Sequence, residues 1–111
     1  MLDEGLKLLT DIRVALDDIG AFTAGIDLSS YEGDPMRRAA VERKFEVIRE
    51  ACNRLSIRDE EVFEKITHAQ QIIGFRNRLI HGYDAVDHAI VWDVVKNKLP
   101  LLKKEVDSLL G

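Results

Sequence analysis

Cysteine is nearly missing from this chain of 111 residues: Cys52 stands alone, so no internal disulfide can form, and its apolar neighbours suit a small core residue. No apolar run approaches the roughly 20 residues that span a bilayer. The start, Met1-Leu2-Asp3-Glu4-Gly5, lacks the basic opening and apolar stretch of a secretion signal. The cytoplasm is therefore the expected location, with no membrane association. An excess of positive charge is missing too, since the formal net charge is −4; that excludes a protein gripping nucleic acid with its whole surface. Strand-like alternation, internal repeats, low-complexity linkers and Gly-rich phosphate loops are not found, Gly74 and Gly82 being isolated. Nor is there a pair or trio of His and Cys at helical spacing, so no metal ligand set and no cofactor is expected.

What is present suffices for one folded domain, 1–111, with 46% hydrophobic and 32% charged residues. Charge is unevenly spread. Residues 1–34 hold eight acidic and two basic side chains, residues 35–58 three and seven, and residues 59–111 nine and seven. The basic segment from Arg37 to Arg58 reads either as a solvated helix face or as a local phosphate-facing patch.

Helical periodicity dominates. Leu2, Leu6, Leu9, Ile12, Leu16, Ile19 and Phe22 form one stripe over residues 2–24. Gly25 to Gly33 reads as a loop, and Asp34-Pro35 as a helix start, with Asp capping and Pro at the first helical position. A second helix runs from Pro35 to about Leu55, with Val41, Phe45, Ile48, Cys52 and Leu55 facing the core. A short helix follows within Ser56–Thr67, where Asp59, Glu60 and Glu61 suit an N-terminus. A third long helix is predicted from Ala69 to His81, ended by Gly82. The last begins near Asp87 and presents Val91, Val95, Leu99, Leu102, Val106 and Leu109, with a kink or brief break near Asn97 forced by Pro100. The expected architecture is an all-α, up-and-down bundle of four long helices plus one short one.

One stretch looks chemical rather than architectural: Phe75-Arg76-Asn77-Arg78-Leu79-Ile80-His81-Gly82-Tyr83. Arg76 supplies a planar fork of donors for phosphate oxygens, and His81 is a proton carrier suited to neutral pH. On a straight helix, five residues separate these side chains by roughly 140° around the axis and about 7.5 Å along it. They would not share one phosphate unless the helix loosens at His81-Gly82 or a second copy of the chain completes the site. Asn77, four residues before His81, could hydrogen-bond the imidazole and fix its tautomer. Glu50 could pair with Arg76 or be a surface glutamate. His68 and His88 suit solvent-exposed or capping roles, and Trp92 a core or dimer contact.

The spacing Arg76-x4-His81-x-Tyr83, with Gly74-Phe75 before it and Val86-Asp87, Val91-Trp92 and Leu99-Pro100-Leu101-Leu102 after it, resembles the HEPN superfamily of small helical ribonucleases, and within it the HepT-like toxins. Val47-Ile48-Arg49-Glu50-Ala51 is similar to the family's second helix, with Arg49 where Gly is usual; Asp84 stands where an aromatic is frequent. The N-terminal third matches only in length and helical pattern. The resemblance implies that Arg76 and His81 are the ribonuclease pair, and that Tyr83 is the tyrosine to which a minimal nucleotidyltransferase antitoxin adds AMP. It also implies a homodimer with the cleft at its interface. The function so indicated is a metal-independent endoribonuclease toxin acting on RNA. The alternative is a non-catalytic, nucleotide- or partner-binding subunit that docks a nucleotidyltransferase.

Overall fold

The computed structural model describes residues 2–75, 80–81 and 85–111, with the backbone alone at 80, 81 and 85. Among the described residues, four helices of ten residues or more carry an all-α bundle: α1 (Asp3–Thr23), α3 (Pro35–Arg58), α6 (His88–Asn97) and α7 (Leu99–Leu110). Three short helices join them there: α2 (Leu28–Glu32), α4 (Glu60–Phe63) and α5 (Ala69–Ile73). A two-residue antiparallel ladder, β1 (Ile80–His81) with β2 (Ala85–Val86), lies between α5 and α6. Among the described residues no helix is long and apolar enough to cross a membrane.

The helix α1 runs antiparallel to α3. Glu4 pairs with Arg58 near one end and Asp18 with Lys44 further along, an order that only opposed directions give. Between them lies the densest part of the core, where Leu9, Ile12, Ile19, Val41, Ile48, Cys52 and Leu55 are fully buried. The predicted face of α3 is correct at every position. That of α1 holds from Leu9 to Phe22 but not in the first two turns: Leu2 and Leu6 are exposed, and the buried ladder runs Gly5, Leu8, Leu9, Ile12, Ala15, Leu16, Ile19, Thr23. The cause is local. Gly5 presses against Asp59, the residue that ends α3 and caps α4 through its bond to the Val62 amide. Gly5 therefore occupies the buried side of the first turns, and Leu2 and Leu6 lie outside.

A Cβ on residue 5 would come within 2.3 Å of Asp59 Oδ2. Gly to Ala in a helix ordinarily gains close to ~1 kcal/mol. Here the carboxylate must swing away and release the α4 cap. Gly5→Ala is therefore expected to destabilise by about 1–3 kcal/mol, visible as a lowered midpoint in thermal or urea unfolding.

Three further comparisons with the sequence expectation matter. The stretch 25–33 is not all loop: Gly25 turns out of α1 at φ 72°, and the Asp27 carboxylate accepts from the Ser30 amide at 2.8 Å to start α2, which buries Tyr31. The last helix is divided at Lys98, with Pro100 in the first turn of α7, so the expected break is a true boundary. The third long helix does not reach His81. The helix α5 closes with the Gly74 amide donating to the Gln70 carbonyl at 3.1 Å, and by Ile80–His81 the backbone is extended and paired with Ala85–Val86. β-Branched residues such as isoleucine favour that backbone. Gly82, the expected helix end, lies outside the described residues.

Candidate ribonuclease site

The two flanks of the chemical stretch are held by described contacts. Upstream, the Phe75 ring packs on Phe45 with centroids 5.3 Å apart. Downstream, the ladder sets Ile80 opposite Val86 and His81 opposite Ala85, and Asp87 then caps α6 by accepting from the amides of Ala89 and Ile90 at 3.1 and 3.2 Å. On α3, Arg38, Glu42, Phe45 and Arg49 succeed one another at steps of four, three and four, so they share the face turned toward this region. Arg76, Asn77 and Tyr83 lie outside the described residues, and of His81 the backbone is described. The helical-angle argument separating Arg76 from His81 does not apply, because His81 is in extended backbone. The case for a second copy of the chain drawn from that angle lapses with it.

Glu50 accepts from Arg54 Nη2 at 3.0 Å, one turn along the same helix, and is half exposed. The basic segment of α3 is largely occupied in the same way. Arg37 bonds Asp34, Lys44 bonds Asp18, Arg49 bonds Glu46 and Arg58 bonds Glu4, while Arg38 reaches His88. Six of its seven cations thus have protein partners, which favours the solvated-face reading over a phosphate-binding patch.

Beside the ladder opens a cavity of about 590 Å³ between α3, α5, α6 and α7. Phe45, Ile72, Phe75, Val86, Ile90, Val94 and Leu102 form its apolar lining; Glu42, Glu46, Asp93 and Glu105 stand around it with Arg49, Lys98 and His68. Among the described residues, four carboxylates against two fixed cations suit a nucleic-acid backbone poorly. Among the described residues no group of three His, Cys, Asp or Glu is placed to hold a metal ion.

The two outlying histidines part company. His68 is exposed and makes no capping bond before α5. His88, expected at the solvent or as a cap, is half-buried instead, with Nε2 2.6 Å from Arg38 Nη1; Asp87 takes the capping role. Trp92 packs on the core as expected, its ring 5.3 Å from that of Tyr31. Sequence reasoning missed Tyr31 altogether, because a Gly-, Ser- and Asp-rich stretch gives no sign of burial. Nothing local in the sequence joins Arg38 to His88 either.

Tyr31 is wholly buried and its hydroxyl has no hydrogen-bond partner among the described residues. Burial pushes its phenol up to about 12, with the Glu42 charge adding to the rise and Arg38 opposing it. A pKa raised on folding means that the unfolded chain loses this proton first, from its ordinary value of 10.0. Stability should fall as pH climbs from about 10 to about 12. Urea midpoints measured across that range should drop in wild type, and less in Tyr31→Phe. The same variant should cost little near pH 7, since it removes an unpaired hydroxyl.

Residues 12–109 match the family model described as Ribonuclease HepT-like. The chain belongs to the HepT-like ribonuclease family. Among curated relatives, "Putative RNase MJ1380" of Methanocaldococcus jannaschii is 35% identical over 99 residues, covering 89% of this chain and 90% of its own length. "Probable ribonuclease HepT" of Thermococcus cleftensis is 31% identical over 101 residues, with 91% of each chain covered. "Putative RNase TTE0752" of Caldanaerobacter subterraneus is 33% identical over 86 residues, 78% of this chain and 76% of its own. No solved structure matches the chain.

Proposed function

We propose that this ribonuclease is a metal-independent endoribonuclease, the toxin of a toxin–antitoxin pair, in which Arg76 and His81 act on the scissile phosphodiester. The observation that carries the reading is the intact Arg76-x4-His81-x-Tyr83 sequence inside the span matched by the ribonuclease family model. RNA brings its own nucleophile, the 2′-hydroxyl. The protein then needs a group to take and return a proton and a group to stabilise the charge that builds on phosphorus. An imidazole suits the first role and a guanidinium the second. Asn77 would orient the imidazole, and Tyr83 would receive AMP from a minimal nucleotidyltransferase partner. The resemblance in sequence is what supports a homodimer.

Purified protein should cleave single-stranded RNA in excess EDTA, leaving a 2′,3′-cyclic phosphate or its opened product. An oligonucleotide carrying a single 2′-deoxyribose at the cleaved position should resist cleavage there. Cleavage that requires added divalent metal, or that ignores the 2′-deoxy substitution, would overturn the mechanism. No cleavage by folded wild-type protein would favour the docking-subunit reading instead.

A further inference from the structure

Where α2, α3 and α6 meet, Arg38 Nη1 lies 2.6 Å from His88 Nε2, a contact between residues fifty apart in sequence. A guanidinium has donors only, so His88 Nε2 accepts and the ring proton sits on Nδ1. Arg38 Nε and His88 Nδ1 are both buried without a partner among the described residues. Tyr31 and Trp92 close the apolar side of this junction.

The position of His88 gives the link its meaning. It is the first residue of α6, directly after the Asp87 cap and two residues after Val86. Val86 is paired with Ile80, and Ala85 with His81. A ladder of two residues on each side has almost no stability of its own; its placement must be imposed by what flanks it. Phe75 on Phe45 holds one flank. Arg38 on His88 holds the other, from the same face of α3.

We propose that Arg38 and His88 are positioning residues: their hydrogen bond fixes the start of α6 against α3 and so holds the ladder that carries the His81 backbone. The link itself is independent of the reaction; only its effect on turnover rests on the ribonuclease reading. His88→Asn and His88→Gln separate the two ring nitrogens. The Asn amide occupies the place of Nδ1 and cannot reach Arg38, whereas the Gln carbonyl oxygen can stand in for Nε2 and accept from it.

Hydrogen–deuterium exchange of peptides covering 80–86 should be faster by about tenfold or more in His88→Asn. Peptides from α1 should be unchanged, and His88→Gln should return 80–86 toward wild type. On an RNA oligonucleotide, kcat should fall by about tenfold in His88→Asn with KM little changed, and recover in His88→Gln. Arg38→Gln should reproduce the His88→Asn result should that variant fail to fold. Unchanged exchange over 80–86 in either folded variant would overturn the proposal; so would faster exchange with wild-type kcat in a cleaving enzyme. If wild type does not cleave RNA at all, the ribonuclease reading fails and the exchange comparison still decides the link.

Discussion

Replacing His81 with alanine is expected to reduce RNA cleavage by about 10²–10⁴-fold, the usual contribution of a positioned proton carrier, while the protein stays folded. The structure supplies the reason for the second half of that expectation. The ladder between His81 and Ala85 is made by main-chain groups, which alanine keeps, and the principal core is built by residues of α1 and α3. Thermal midpoints of wild type and variant should therefore agree within a few degrees, so that lost activity reports lost chemistry. Arg76→Lys should also be severely impaired, because a point charge does not reproduce the two-pronged grip on phosphate oxygens. Wild-type activity in a folded His81→Ala protein would end the catalytic assignment.

Attachment of AMP to Tyr83 should silence the enzyme to about the level of His81→Ala. In that reaction the phenol oxygen attacks the α-phosphate of ATP and pyrophosphate leaves. The product tethers a phosphodiester two residues from His81. A tethered group competes at an effective concentration of roughly millimolar or above, so it could hold the place of the RNA phosphate with no refolding of the bundle. Incubation with the partner nucleotidyltransferase and ATP should put an AMP-sized mass on the Tyr83 peptide and abolish cleavage. Tyr83→Phe should keep its activity under the same treatment. Inhibition of Tyr83→Phe equal to that of wild type would mean that the partner acts by covering the site instead.

The sequence disclosed this molecule unevenly, and the reasons are physical. Periodic elements were readable because burial repeats along them: the α3 face from Val41 to Leu55 and the Asp87 cap stand where the pattern placed them. The shift on α1 was hidden because it depends on one tertiary contact, Gly5 against Asp59. Residues 80–81 had the apolar spacing to continue a helix, yet they satisfy their backbone across a ladder with 85–86, a choice that no window ending at His81 can display. Of the candidate site the sequence offers an arginine and a histidine at a family spacing. The Arg38–His88 contact was not legible, since the two become neighbours only after α6 has folded back on α3.

The chain has a single tryptophan, and its surroundings make it an optical gauge of that fold-back. The Trp92 indole lies 5.3 Å from the Tyr31 ring and 4.7 Å from Lys96 Nζ, on the helix whose first residue is His88. Excitation energy absorbed by Tyr31 should pass to Trp92 almost completely at this separation, and the nearby ammonium should modulate the indole emission. Detachment of α6 from α2 would change both signals while leaving the α1–α3 core, which holds no tryptophan, unreported. Fluorescence will thus follow the docking of one helix rather than melting of the whole bundle, whereas circular dichroism follows the bundle. Any gap between the two transitions would measure how independently the end of the molecule bearing the ladder comes loose.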